Sequence, residues 1–127
     1  MSGDLGLGLD ARPIFDALLR QFHASPQMDT EAAWDLLSAA HIVGQTDFRM
    51  HCRVHWAMLA FAAKTRDGGE VLGQLFRLGL VPMGHLFQRL PLGNIGRANV
   101  SAFESMHVAP RLAELLKTAK NMSQLDL

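Results

Sequence analysis

The chain has 127 residues, with twelve basic side chains, twelve acidic ones and one cysteine. This balance shows no basic stripe and argues against a nucleic-acid partner, because phosphate contacts supply most of the affinity of such proteins. A single cysteine excludes an internal disulfide and any multi-cysteine zinc or iron–sulfur site within one chain.

Hydrophobic residues make up 49% and charged residues 19%, a globular balance. Tyr is absent and β-branched residues are sparse, while Leu, Ala and Met abound, which favours helix over sheet. No transmembrane segment is expected. Val54 to Ala63 is far shorter than the roughly twenty residues a bilayer needs, and Gln74, Arg77, Pro82 and His85 interrupt Val71 to Phe87. Met1 to Asp10 has neither a basic n-region nor a long apolar run. The expectation is a cytoplasmic protein with a flexible lead-in (1–12), one helical domain (13–120) and a loose tail (121–127).

Pro13 suits the first turn of a helix, and Ile14, Phe15, Leu18, Leu19 and Phe22 follow on one face. This helix ends near Ala24, before Ser25 and Pro26. Asp29 and Thr30 offer caps for a second helix with Ala33, Trp34, Leu37, Ala40 and Ile42 inward, ending at Gly44 and Gln45. A third begins near Thr46 and Asp47, with Phe48, Cys52, His55 or Trp56, Leu59 and Ala62 inward, and both tryptophans are expected in the core. Asp67 followed by Glu70 resembles a capping box for a fourth helix, carried by Leu72, Leu75, Phe76, Leu78 and Leu80. Pro82 is expected to kink or end it, with a short continuation from Met83 to Leu90. Pro91 to Gly96 is turn chemistry, because Gly and Asn tolerate positive φ. Val100 to Val108 reads as irregular or extended. Pro110 opens a last helix with Leu112, Leu115 and Leu116, ending near Asn121.

Short connections make sequential helices antiparallel neighbours. The fold class expected is therefore all-α: a small bundle of two antiparallel helical hairpins, an irregular Gly/Asn turn segment and a C-terminal helix. The spacing of Trp34, Leu37 and Ala40 is similar to tetratricopeptide-type pairing, without an internal repeat.

Chemistry concentrates in the hairpin between the second and third helices. His51 and His55 are one helical turn apart on one face, a spacing that lets two imidazoles bind one metal. Asp47, one turn earlier, offers an oxygen ligand. If the chain folds back about Gly44 to Thr46, His41 lies opposite His51. Such a set suits zinc, copper, nickel or iron, with haem less favoured. The same histidines also fit a bracing role, each bonded to a carbonyl, or general acid–base work. His23, His85 and His107 are isolated in sequence and read as structural or exposed. The Gly93/Gly96 turn lacks the strand and the Gly-Lys-Ser/Thr ending of a phosphate loop. No Gly-x-Ser-x-Gly elbow or Cys–His nucleophile pair is present.

The segments Ala40-His41-Ile42-Val43-Gly44-Gln45, His51-Cys52-Arg53-Val54-His55-Trp56, Glu70-Val71-Leu72-Gly73-Gln74 and Pro91-Leu92-Gly93-Asn94-Ile95-Gly96 occur in this order. Together with Asn99 to Phe103, they resemble the bacterial family catalogued as domain of unknown function 3703, over about residues 13 to 116. The resemblance implies no established activity and no catalytic residue. It retains His41, His51, His55 and the Gly93–Gly96 turn, which favours a metal or small-ligand role for the cluster.

Two functional readings follow. In the first, the chain is a small metal- or ligand-binding accessory protein using His41, His51 and His55, with Asp47 or Gln45. In the second, it is a helical-hairpin interaction module whose histidines are structural, forming a homodimer or holding a protein partner through the helix Val71 to Leu90. An enzyme using metal-bound water ranks last, for want of a second catalytic carboxylate.

Overall fold

A computed structural model describes residues 11–25, 27–87, 95–97 and 107–125. The expectations for 1–10, 88–94, 98–106 and 126–127 (most of the lead-in, Leu90, Pro91 to Asn94, most of the Val100 to Val108 stretch and the last of the tail) lie outside these residues. Five helices are present: α1 (Arg12–Ala24), α2 (Thr30–Gly44), α3 (Phe48–Lys64), α4 (Gly68–Leu86) and α5 (Pro110–Leu125). The fold is an all-α bundle with no strand among the described residues. No helix among them is long and apolar enough to cross a membrane.

Local chemistry sets the helix ends. Pro13 occupies the first turn of α1. Asp29 Oδ2 accepts from the Ala32 amide at 3.4 Å, Asp47 Oδ1 from Met50 at 3.0 Å and Asp67 Oδ1 from Glu70 at 3.1 Å. Each bond satisfies an amide that the first helical turn leaves without a partner. The box foreseen at Asp67 is only half formed, because the Glu70 side chain turns inward. α3 closes with the amide of Asp67 on the Ala62 carbonyl and that of Arg66 on Ala63. Arg66 takes the left-handed φ of 59° that this paired closure requires.

α2 is the central helix. From Ala33 to Gly44 every residue except Asp35 is buried, and α2 packs on α1, α3 and α5. A helix buried all round must be apolar all round, and α2 nearly is. α1 contributes Ile14, Phe15, Leu18 and Leu19, and α5 contributes Leu112, Leu116 and Ala119. The α2–α3 pair is antiparallel: His41 meets His51 near the turn, and Trp34 meets Phe61, ring to ring at 5.3 Å, at the far end. A Cβ at Gly44 would lie 2.9 Å from the Phe15 ring, so the α2 terminus packs closely against α1.

Several expectations need correction. Trp34 is buried, but Trp56 is 62% exposed and Phe48 is exposed as well. One helix has one inward stripe, and α3 gives it to Met50, His51, Val54, His55, Met58 and Ala62. Trp56, about 100° round from His55, is thereby turned outward. For α4 the leucine spacing alone chooses no inward face, and the helix buries Glu70, Gln74, Arg77 and Val81. The leucine-rich side with Leu72, Leu75 and Phe76 faces outward. Pro82 does not end α4, which continues to Leu86; Val81 stays buried beside it and the Phe87 amide still donates to Met83 O at 3.0 Å. α5 runs on past Asn121 to Leu125.

Candidate metal centre

His41, in the last turn of α2, and His51 and His55, on α3, converge in one buried group. One ring nitrogen from each lies within 4.8 Å of the others. The ring centroids form a nearly equilateral triangle: 5.0 Å for His41–His51, 4.8 Å for His41–His55 and 5.0 Å for His51–His55. His41 Nε2 and His51 Nε2 are 3.2 Å apart. Two nitrogens bound to one tetrahedral ion at the usual zinc–imidazole length sit about 3.3 Å apart. The geometry inferred from the turn, with His41 across from His51 and His55 one turn deeper, is the geometry found.

Asp47 does not join this group. Its carboxylate caps α3, and the three histidines gather without it. His23 and His107 are exposed. His85, at the end of α4, does reach the cluster: its Nε2 is 3.0 Å from His51 Nδ1. His85 is isolated in sequence but not in space, and the Phe48 ring packs edge-on against it.

A polar chain continues from His55. Its Nδ1 is 2.6 Å from Oε1 of Gln74, which is fully buried. The Gln74 amide nitrogen donates to Glu70 Oε2 and to the Gly96 carbonyl, both at 2.9 Å. Glu70 Oε1 accepts from Arg97 Nε at 3.2 Å, and the Arg97 guanidinium lies 4.2 Å from the centre of the Trp34 ring. Gly96 has a φ of +83°, as expected for a glycine in this turn. Its Cα presses on His41 so closely that a Cβ would fall 2.6 Å from Cδ2 of that ring. Only glycine meets both demands.

This surrounding holds the two α3 imidazoles, His51 and His55, uncharged. Burial pushes His51 down to about 3, and the neighbouring His55 and His85 rings add to the effect. Burial pushes His55 down to about 4, helped by the Arg77 guanidinium; the bond to Gln74 and the Glu70 carboxylate act in the opposite sense. A neutral imidazole is the form that binds a metal. The arrangement is therefore compatible with a bound ion, offering three nitrogen donors from two helices.

Gln74, Glu70 and His85 escape a search for apolar periodicity. Their signal was present in another form: Glu70, Gln74, Arg77, Val81 and His85 fall on one face of α4. A polar stripe on a helix otherwise rich in leucine marks either a solvated face or a buried network, and here it is a network.

Over residues 9–116 the chain matches the family described as Protein of unknown function (DUF3703). No curated protein and no solved structure matches it.

Proposed function

Since the chain belongs to DUF3703, a family whose description carries no activity, we propose from its own residues that it is a small metal-binding protein holding one transition-metal ion with His41, His51 and His55. The observation that carries this reading is the convergence of three buried imidazoles, with one ring nitrogen of each within 4.8 Å of the others. A bracing histidine is normally satisfied by a carbonyl, as His55 is by Gln74. The opposed Nε2 atoms of His41 and His51, by contrast, share a single hydrogen bond between two rings. An ion at that point would take both Nε2 lone pairs once the proton of that bond has moved to the other nitrogen of its own ring. An all-imidazole set suits zinc, copper, nickel or iron. Asp47 is committed to its cap and receives no ligand role in this reading.

The test is elemental analysis of the untagged protein, followed by titration of the metal-free form with Zn(II), Cu(I), Ni(II) and Fe(II). One equivalent of ion is expected, lost in His41→Ala and His51→Ala. A protein that takes up none of the four sinks the reading.

A second reading has its own observation. Leu72, Leu75, Phe76, Met83 and Leu86 are all at least half exposed, opposite the polar face of α4. Such an apolar stripe suits docking to a protein partner or a second copy. A sedimentation experiment showing the same monomer mass for the wild type and for Phe76→Glu at all concentrations would dispose of self-association.

A further inference from the structure

The inward face of α4 has a chemical logic that the proposed ion explains. We infer that α4 presets both α3 histidines as Nε2 donors, with Gln74 fixing His55 and His85 receiving the Nδ1 proton of His51. This rests on the metal-binding reading above, although the part concerning Gln74 also stands by itself.

Gly96 sets the direction of these hydrogen bonds. Its backbone carbonyl can only accept, so the group 2.9 Å away must be the amide nitrogen of Gln74. Glu70 Oε2, at 2.9 Å, takes the second amide proton. The orientation of the Gln74 side chain is thereby decided, and Oε1 faces His55 Nδ1 at 2.6 Å. A carbonyl oxygen cannot donate, so His55 Nδ1 carries the ring proton and Nε2 keeps its lone pair. The Arg97–Glu70 ion pair and the stacking of Arg97 on Trp34 hold the far end of this chain. Gln74 is thus a positioning residue: it selects one of two tautomers of a ligand it orients.

His51 meets the same requirement by another route. Its Nε2 is the atom paired with His41 at 3.2 Å, so ligation through Nε2 leaves the proton on Nδ1. The acceptor 3.0 Å from Nδ1 is His85 Nε2. Metal-binding histidines ordinarily donate their other ring N–H to an outer acceptor, which fixes ring orientation and tautomer. One element, α4, supplies both acceptors, from positions about three helical turns apart.

Two measurements test this. Long-range proton–nitrogen NMR on the metal-free wild type reads the His55 tautomer directly, and Nδ1–H is expected. Competition for Zn(II) against a chromophoric chelator reads affinity, expected to fall about 10- to 100-fold in Gln74→Met and in His85→Ala. Circular dichroism checks that each variant keeps its helices. An Nε2–H tautomer at His55 overturns the inference, as does unchanged zinc affinity in either folded variant. A wild type that binds none of the four ions titrated above removes the metal reading and the His85 half with it. The tautomer of His55 then still decides whether Gln74 orients that ring.

Discussion

The two halves of the molecule are built on opposite plans. Around α2, the helices α1, α3 and α5 turn apolar side chains inward: Phe15, Leu18, Trp34, Leu37, Met58 and Leu116 are almost wholly buried. Between α3 and α4 the contact is largely polar: His51 meets His85, His55 meets Gln74, and Gln74 bonds Glu70 and Gly96. The apolar side of α4 is left outside. Apolar packing stabilises without selecting one arrangement strongly, since volume-conserving repacking is tolerated. A buried polar network gains little net free energy but penalises every misplacement, because each unmet group keeps its desolvation cost. The bundle around α2 thus supplies stability, and the α3–α4 contact specifies the positions of three imidazoles.

This division can be broken from either side. The largest effect is expected from Leu37→Ala in the apolar half, a loss of about 2–5 kcal/mol by chemical denaturation. The metal affinity of the molecules that remain folded should match the wild type. A selective loss of affinity would show that the halves are not separable. Gly96→Ala attacks the polar half. The positive φ costs a non-glycine residue about 1–2 kcal/mol and the clash with His41 about 1–3 kcal/mol more. It should weaken zinc binding more than Leu37→Ala does, and equal affinities would contradict the close fit at His41.

The comparison can also be sharpened by pH. His51 and His55 are neutral when folded but protonate near the ordinary 6.5 when unfolded. Between that value and about 4 the unfolded chain binds more protons, so stability falls as pH falls. His51 alone extends the window to about 3. Each group contributes a slope of about 1.4 kcal/mol per pH unit across its window. Denaturation of the metal-free protein across this range should show the loss, and His51→Phe should flatten it. An unchanged slope in that variant would place the proton uptake elsewhere. The smallest effect is expected at Trp56→Ala, within about 0.5 kcal/mol, because the ring is mostly in water. A cost of several kcal/mol in thermal denaturation would mean that this face is covered in solution.

The apolar half was the legible half. Pro13, Asp29 and Asp47 mark where helices begin, and the inward positions of α1 and α2 follow their 3.6-residue spacing. The cluster was legible too, because a short turn at Gly44 to Thr46 makes position in sequence a guide to position in space. The inward face of α4 was not legible, for a physical reason. Periodicity identifies which residues share a face, not which face turns inward, and the stripe of Leu72, Leu75 and Phe76 is the more apolar one. The inward choice rests on partners distant in sequence: His51 is 34 residues from His85, and Gln74 is 22 residues from Gly96. At α3 the same ambiguity put Trp56 level with His55 as a candidate, although only one of them can occupy the inner stripe.

α4 packs closely on α3 and, among the described helices, on no other to a comparable extent. Proteins open in cooperative units, and the unit with the fewest apolar contacts opens at the lowest free energy. That unit here is α4. Its amides are expected to exchange with solvent hydrogen sooner than those of α2, without the rest of the bundle melting. When α4 swings away, His51 and His55 meet water together and lose both outer acceptors in one step. In the metal-binding reading proposed above, the helix that orients the imidazoles is also their door, and the rate at which an ion enters or leaves is expected to follow how often that door opens.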